Sequence, residues 1–291
     1  MLLYTKMFLV RLKYCVISTV VCFLFGIPTV FSQTGCVSEN TSFLPGEELN
    51  YKVIYNWGMI WLESGKATFR VGSAQIKGRT LYVLNGSGST YPNYDWFYKV
   101  KDVFESYVDS ATLRPLTTSA TIWEGSKREK HNYVFNFQTK KAYTNITRGK
   151  NPAKLDTVKT SACTIDVTTA IYYARNIDYS NCKKNDTISI SLLLDGKVYP
   201  IYIRYLGKEK YNAGNLGYYN CIKFSPLLVE GSIFKGGEGM TVWVTNDKNK
   251  IPLYIETPIV VGSIKVKLVS YKGLRNPEEA KIISTTLEQK K

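Results

Sequence analysis

Histidine is almost absent from this chain of 291 residues, and its scarcity excludes most ways of building an active site. The one histidine, His131, lies in a segment that alternates like a strand. A serine or cysteine nucleophile activated by histidine would have to use it. No Gly-x-Ser-x-Gly motif is present to expose a serine. We therefore assign no catalytic residue, and we interpret His131 as an ordinary strand residue.

Cysteine is also scarce, and its spacing does not suit a metal. None of the six cysteines belongs to a Cys-x-x-Cys pair, whereas structural zinc sites usually need such close ligand pairs. We predict no metal site and no cofactor. Two cysteines, Cys15 and Cys22, fall in an N-terminal apolar segment. The other four could form two disulfides with three possible pairings, or stay as isolated buried thiols: Cys36, Cys163, Cys182 and Cys221.

Acidic residues are missing from the N-terminus, where the first is Glu39. Three basic residues come first, then an apolar run over 15–31, then the small residue Ser32. This order is typical of a secretory signal peptide, which we assign to residues 1–32. The alternative is an uncleaved anchor helix. The run is shorter than the about 20 residues that a span needs, and Pro28 interrupts it.

A second form of processing would attach a lipid to Cys36. Gln33-Thr34-Gly35-Cys36 ends in a small residue followed by cysteine, as a lipid-attachment site does. The position three before the cysteine should be aliphatic, but it is Gln33. Cleavage after Ser32 is therefore favoured. Either way, the sequence predicts an exported protein.

Positive charge is in excess along the mature chain. Cleavage after Ser32 would leave 259 residues with 35 lysines and arginines against 23 acidic residues, a net charge of +12. An exported protein does not meet nucleic acid, so we expect no nucleic-acid partner. The lysines are scattered, which is typical of a solvated surface and of protected sheet edges. Attraction to anionic lipid or polysaccharide is the alternative interpretation.

Alternation of apolar and polar residues with a period of two dominates the mature chain and predicts strands. Asp195-Gly196 is a two-residue hairpin signal between two of them. Residues 96–109 are ambiguous, although their aromatic and β-branched content favours a strand. The strands that we predict cover 51–55, 80–84, 130–137, 141–148, 187–192, 198–205, 240–244, 252–257 and 262–268.

One segment, residues 164–175, has helical spacing of its apolar side chains, with Thr164 as the predicted N-cap. The fold class is therefore all-β and mainly antiparallel. We predict a large curved sheet or partly open β-barrel with one short helix across it. Residues 33–275 would form a single β-rich domain, or two lobes that meet near 151–185. Residues 276–291 would be a charged tail, frayed or weakly helical.

Aromatic residues are abundant, with 22 tyrosines, 12 phenylalanines and 5 tryptophans. Aromatic rings with polar groups suit an amphipathic cavity or a surface that faces glycans, although they also fill large β cores. Several cluster in the first half of the chain. We take five of them as candidate ligand-binding residues: Trp57, Trp61, Tyr94, Trp96 and Tyr98.

Paired carboxylates are the one enzymatic alternative that needs no histidine. Glycoside hydrolases use two, one protonated and one ionised. Asp102, Glu105 and Asp109 are close in sequence and lie near Trp96. Acidic residues that alternate along a strand are more often its solvated face, so an enzyme is the less favoured interpretation.

Nine short stretches occur in a telling order and spacing along the mature chain. They are PGEELNY at 45–51, YNW at 55–57, ESGKA at 63–67, FYKVKD at 97–102, ESYVD at 105–109, LRP at 113–115, VWVTND at 242–247, IPL at 251–253 and PIVVG at 258–262. Together they resemble the exported domain-of-unknown-function family 3108, which is common in Bacteroidetes and other Gram-negative bacteria, over about residues 47–272.

The resemblance implies a Gram-negative cell envelope location, periplasmic or associated with the outer membrane, with peripheral or no membrane association. It also implies a curved, partly open antiparallel barrel of the kind found in lipoprotein carriers, and no catalytic residue set. We therefore expect non-enzymatic binding of an apolar or amphipathic envelope ligand, either a lipid or a lipid-linked glycan. The alternatives are an assembly partner of other envelope proteins and a carbohydrate-active enzyme.

Overall fold

The computed structural model describes residues 39–76, 78–230 and 236–283, apart from the side chain of Phe97. The predicted signal peptide and the lipid-attachment alternative at Cys36 lie outside these residues. Neither helix in the described ranges has the length or the apolar composition of a membrane-crossing segment.

The described residues form sixteen strands and two α-helices. The strands are β1 (Glu48–Trp57), β2 (Ile60–Ile76), β3 (Arg79–Thr90), β4 (Lys101–Asp109), β5 (Pro115–Glu124), β6 (Lys127–Asn136), β7 (Lys141–Arg148), β8 (Lys154–Lys159), β9 (Thr164–Asp166), β10 (Thr187–Leu194), β11 (Lys197–Asn212), β12 (Tyr218–Pro226), β13 (Thr241–Thr245), β14 (Pro252–Pro258), β15 (Ser263–Lys272) and β16 (Lys281–Ile282). The helices are the single turn α1 (Asp95–Tyr98) and α2 (Val167–Ala174).

One sheet contains all of these strands. Its order is β8-β7-β6-β5-β4-β3-β2-β1-β15-β14-β13-β12-β11-β10-β9, and β16 adds to the end of β12. Neighbours are antiparallel except for β9 and β10. Hydrogen bonds do not close the sheet, so the predicted large, mainly antiparallel and partly open sheet is confirmed. The first strand, β1, lies in the middle because it pairs with β15.

The sheet curves around α2. Tyr172 of α2 packs with residues of β2, β3 and β4, whereas Ala174 packs with residues of β10 to β13. A helix that touches both halves of one sheet must lie inside its curve. The two ends of the sheet also meet through side chains, since Leu193 of β10 packs with Tyr133 and Phe135 of β6.

The start of α2 differs from the sequence prediction. Thr164, predicted as the N-cap, begins the short strand β9 instead. The N-cap is Asp166, whose carboxylate accepts hydrogen bonds from the backbone N–H groups of Thr168 and Thr169. Ser106 of β4 donates to the same carboxylate at 2.6 Å. Asp166 thus satisfies the free N–H groups of the helix and ties α2 to the sheet.

The ambiguous segment 96–109 contains both structures. Residues up to Tyr98 belong to the helical turn α1, and β4 begins at Lys101.

In β15 the predicted alternation of apolar and charged residues holds, but the charged face is not fully solvated. Lys265 retains only 13% of its side-chain exposure because it pairs with Glu256 at 2.7 Å.

The prediction of a frayed or weakly helical tail is wrong for residues 276–283. Buried Asn249 donates to the backbone of Asn276 and Pro277 and accepts from the Asn276 N–H group at 2.9 Å. Ala280 is buried in the core, and β16 pairs with β12. Charge alone suggested a tail, but a few side chains secure this segment. Residues 284–291 lie outside the described ranges.

Of the four cysteines predicted to remain after export, Cys182 and Cys221 are free thiols. Cys163 is disulfide-bonded. The predicted alternative of two disulfides is therefore wrong.

A buried ion pair closes the helix end of the curved sheet. Arg175, the C-cap of α2, binds both carboxylate oxygens of Glu47 at 2.6 and 2.8 Å. The guanidinium also donates to the backbone carbonyl groups of Ser42 and Asn249. Both charged side chains are almost fully buried. They connect the segment before β1, the helix and the β13–β14 turn at one point.

Candidate ligand-binding site at the open end of the sheet

The face of the sheet that packs against α2, here called the helix face, is filled at one end only. Near α2 its side chains are buried, as at Val71, Leu84 and Val108. Further towards the β1–β2 turn, Val53 on β1 and Phe104 on β4 are partly exposed. Alternation places these residues on the same face of the sheet. The apolar lining therefore continues beyond the helix, where α2 no longer covers it.

Small residues widen this uncovered part of the helix face. Ala67 of β2 lies opposite Gly88 of β3, which lies opposite Asp102 of β4. A Cβ atom added at Gly88 would have no atom within 4 Å. At Gly86, two residues closer to α2, the ring of Phe69 would be 3.1 Å away. The space in front of Gly88 is thus open, and it closes within two residues towards the helix.

A carboxyl group with a raised pKa borders the open space. Burial raises the pKa of Asp102 to about 6, and a 2.9 Å hydrogen bond from the backbone N–H group of Trp123 partly opposes this rise. Near neutral pH this carboxyl group is mostly ionised in poorly solvated surroundings. It is the polar group best placed to meet a polar or cationic part of a bound molecule.

Apolar residues crowd the turns beside this opening. Met59, at the β1–β2 turn, is 98% exposed. The adjacent β14–β15 turn contributes two exposed valines. The tip patch, as we call this surface, comprises Trp57, Met59, Ile60, Trp61, Val260 and Val261, each more than half exposed.

The two turns of the tip patch are fixed to each other. The hydroxyl group of Tyr55 donates to the Val261 carbonyl at 3.2 Å. Gly262 approaches β1 so closely that a Cβ atom there would lie 2.4 Å from the Asn56 carbonyl oxygen. Its φ of +81° is also a conformation that favours glycine. The residue therefore permits both the turn and the contact.

The other predicted site residues lie on the neighbouring β3–β4 connection. Tyr94 and Trp96 belong to its helical turns, and Trp96 is 84% exposed. This connection leans on β2, since Tyr91 donates to Glu63 at 3.1 Å. The structure thus places the predicted aromatic residues on two adjacent connections at the open end. Their role in binding stays a prediction.

Tyr98 reaches the next turn along the sheet. A Cβ atom added at Gly125 would lie 2.8 Å from the ring of Tyr98. Beside this turn, the ring of Trp123 contacts two cations, with the Arg128 guanidinium 3.7 Å and the Lys99 ammonium 5.2 Å from its centroid. The aromatic residues of this end are therefore accompanied by positive charge.

The structure does not bring together the carboxylates proposed for glycoside hydrolysis. Asp102 lies on the helix face, and Glu105 and Asp109 lie on the opposite face of β4. Glu105 accepts from Asn85, and Asp109 pairs with Arg79. An acid and a base on opposite faces of one sheet cannot flank one glycosidic bond. Asp102 and Glu105 thus do not form the pair that this mechanism requires.

His131 takes part in a charged cluster that sequence patterns did not predict. Its Nε2 atom is 2.8 Å from Glu129, and its Nδ1 atom is 3.6 Å from Asp195 of the β10–β11 turn. The three could offer ligand atoms within 4.8 Å of one another. Arg148 also pairs with Glu129, at 3.3 Å, so the cluster already contains its own counter-charge. We interpret it as a contact between the two ends of the sheet.

Sequence analysis also missed the open space at Gly88. An Asn-Gly-Ser-Gly-Ser run within a strand was the available signal, because glycine inside a strand often marks a place where something else approaches closely.

Comparison with solved structures supports the fold. The chain is similar to a β-barrel-like protein of the domain of unknown function DUF1849 from Brucella abortus, with a TM-score of 0.55 and 11% sequence identity. The match covers 80% of this chain and 98% of that one. At this identity, the likeness concerns the fold alone.

Comparison at the level of sequence defines the family. A search of curated proteins found no match. The family model described as "Protein of unknown function (DUF3108)" matches residues 50–269, the greater part of the chain. The stretches that carried the resemblance fall mostly within this range. The chain therefore belongs to the DUF3108 family.

Proposed function

We propose that this protein binds an apolar or amphipathic molecule of the cell envelope, a lipid or a lipid-linked glycan, at the open end of its curved sheet. The observation that carries the proposal is the uncovered part of the helix face, with an open space in front of Gly88. Ligand sites are usually apolar concavities with a few polar groups. Here Val53, Phe104 and Ala67 supply the apolar lining, and Asp102 supplies the polar group.

The asymmetry between the two ends supports this proposal. The helix end is filled by α2 and sealed by the Arg175–Glu47 pair. The open end has partly exposed apolar walls instead of a packed core. Burial of apolar surface stabilises a fold by about 25 cal/mol per Å², and the exposed part of these walls does not contribute this free energy. A bound acyl chain would recover part of this stabilisation by covering the surface.

The first experiment is native mass spectrometry of protein purified from its own cell envelope, followed by organic extraction. We expect extra mass that is lost on denaturation and recovered as a lipid. Protein at the bare polypeptide mass, with no uptake of any envelope lipid after delipidation, would refute the proposal.

A matched pair of variants locates the ligand. Gly88→Leu, on β3, places a leucine side chain in the open space on the helix face. Gly72→Leu, on β2, places the same side chain on the opposite face of the sheet, where it makes ordinary van der Waals contact with Val83. We expect Gly88→Leu to weaken binding of a dansyl-labelled fatty acid at least about tenfold, and Gly72→Leu to leave it unchanged. Equal binding by both variants would place the ligand elsewhere.

We also propose that the protein is exported without a lipid anchor. Cys163 is disulfide-bonded and Cys182 and Cys221 are free, while outside the described ranges the sequence offers Cys15, Cys22 and Cys36. Only Cys36 survives either form of signal processing. A thiol in a disulfide cannot also carry a lipid. We expect peptide mapping without reduction to find Cys36 joined to Cys163; an acylated Cys36 would contradict this proposal.

A further inference from the structure

We propose that the open end of the sheet docks on an anionic lipid bilayer, with the tip patch entering the interface and a row of lysines facing the headgroups. This inference goes beyond the proposed function and does not depend on it, because a protein can bind a membrane surface without holding a lipid inside. Two independent features carry it: the composition of the tips, and the register of the lysines behind them.

The tips have the composition of a membrane-interface anchor. Residues 57–62 and 258–262 contain two tryptophans, methionine, isoleucine, leucine and valine, with no charged residue. Amphipathic aromatic rings are favoured at the level of the lipid headgroups. The ammonium group of Lys265 lies 4.6 Å from the Trp61 ring centroid. This pairing of a ring with a cation suits a boundary that is apolar on one side and anionic on the other.

Behind the tips, cross-strand register aligns five lysines in one row on the outer face of the sheet. We call these residues the lysine row. Each residue of the row lies directly opposite the next one on the neighbouring strand. Three positions of the row are not lysines; they are Ser89, Tyr254 and Trp243. In order the row is Lys101, Ser89, Lys66, Lys52, Lys267, Tyr254, Trp243 and Lys223.

This alignment is unfavourable for the isolated protein. Lys52 lies directly opposite Lys66 on one side and Lys267 on the other, and like charges in such pairs are destabilising. Glu63 offsets Lys52 at 3.5 Å. Within the described ranges, Lys66, Lys101 and Lys267 have no carboxylate within ion-pair distance. An anionic surface would supply the missing counter-charge.

The dimensions agree with a bilayer. Lys52 and Trp57 are five residues apart on β1, about 17 Å along the strand. Interfacial segments bury apolar groups about 5–10 Å deep. The lysine row would then lie within roughly 10 Å of the surface, about one Debye length at moderate salt. The row is near enough to feel the charge of the headgroups, and the tips are long enough to enter.

The test is sedimentation of the full mature protein with vesicles of phosphatidylcholine, with and without phosphatidylglycerol. We expect binding that requires the anionic lipid and weakens with salt. Brominated acyl chains should quench tryptophan fluorescence, and the double variant Trp57→Phe, Trp61→Phe should lose most of that quenching. A protein that stays in the supernatant with both kinds of vesicle would overturn the proposal.

Two triple variants with the same net charge distinguish a specific effect of the lysine row from a general effect of positive charge. Lys66→Gln, Lys101→Gln and Lys267→Gln together should lower partitioning about fivefold for each lysine removed. The control combines Lys140→Gln, Lys141→Gln and Lys159→Gln, which removes the same charge from the opposite end of the strands, where Lys141 and Lys159 also lie opposite each other. Equal losses in the two triple variants would refute a specific role for the row.

A variant of the tip patch distinguishes membrane binding from binding of a protein partner. Met59→Ser should lower vesicle binding at least about tenfold, since it removes a large apolar side chain from the interface, and its thermal unfolding should match that of the wild type because Met59 contacts little. If Met59→Ser binds vesicles normally and instead loses a defined envelope protein, the surface binds protein and the proposal is wrong. Organic extraction of the purified protein tests internal lipid binding separately.

Discussion

The two ends of the curved sheet are built from the same strands but follow opposite principles. At the helix end, two buried charged side chains are satisfied, since Arg175 has four hydrogen bonds and Asp166 caps α2, although the buried hydroxyl group of Tyr172 has no hydrogen-bond partner. At the open end, apolar groups are exposed and glycine leaves space. The helix end is closely packed, whereas the open end leaves apolar surface without packing contacts.

This difference teaches where stability and function reside in such a fold. A sheet that wraps a single eight-residue helix can fill only part of its interior. The remaining strand length extends beyond the helix and carries surface that the protein does not use for its own packing. Removing a buried charged partner at the helix end should therefore damage folding, whereas filling the open space should damage binding.

The largest expected effect is at the sealed end. Glu47→Ala leaves the buried Arg175 guanidinium without its carboxylate, and we expect a loss of about 3–5 kcal/mol in the free energy of unfolding. The control is Arg70→Ala, which removes the exposed partner of Glu48, the next residue along the chain. Urea unfolding should show a much smaller change for the control, because exposed pairs contribute little. Similar losses would mean that the two ion pairs are equivalent.

A glycine substitution at the tips comes next. Gly262→Ala combines a positive φ with a clash against the β1 backbone, and we expect a loss of about 2–3 kcal/mol in the free energy of unfolding. Gly58→Ala is the matched control, since its φ is +56° but nothing lies within 4 Å of the added Cβ. It should cost only about 1 kcal/mol. Thermal unfolding distinguishes the two, and equal losses would argue against a tight contact between the turns.

The raised pKa of Asp102 makes stability depend on pH. A carboxyl group with a pKa of about 6 when folded and about 3.9 when unfolded stabilises the fold below pH 4 relative to neutral pH, and this stability is lost as pH rises through 6. Asp102→Asn should therefore exceed the wild type by about 1–2 kcal/mol at pH 7.5, allowing for partial exposure. The difference should vanish near pH 4.

Paired urea titrations at the two pH values check this prediction. Glu105→Gln, on the opposite face of β4, serves as the control and should not reproduce the pH-dependent gain. A gain for Asp102→Asn of equal size at both pH values would show that ionisation of Asp102 is not its cause.

The smallest effect is a gain in stability at the open end. Gly88→Leu replaces a flexible residue inside a strand by one that can pack on exposed apolar walls, and we expect about 0.5–1 kcal/mol of stabilisation. A loss in the free energy of unfolding would instead show that the space at Gly88 is already filled.

Local patterns predicted nine of the sixteen described strands and favoured β4, because period-two alternation and hairpin signals act over a few residues. They did not predict β2, β5, β8 or β12. Strand β7 has the predicted bounds, and Asp195-Gly196 forms the predicted turn. The capping role of Asp166 could also have been found, since aspartate directly before an apolar helical run is a common N-cap.

Other features depend on residues far apart in sequence. Nothing near Asn249 indicates that its amide binds the backbone of 276–277, so the tail was predicted incorrectly. The lysine row is likewise invisible in sequence, because its members come from five strands and only the register aligns them. The position of α2 inside the curve decides which half of each strand is covered, and no periodicity reports it.

The pairing of β1 with β15 also governs how the chain can fold. The two strands are separated by about two hundred residues, so the centre of the sheet cannot form until almost the whole chain is present. Closing so long a loop is slow, and folds dominated by such distant contacts fold slowly. In a chain that is exported, as we propose for this protein, β1 would leave the translocation channel well before β15. We therefore expect the complete sheet to assemble only late in secretion, since β1 can pair with β15 only when nearly all of the described chain has emerged.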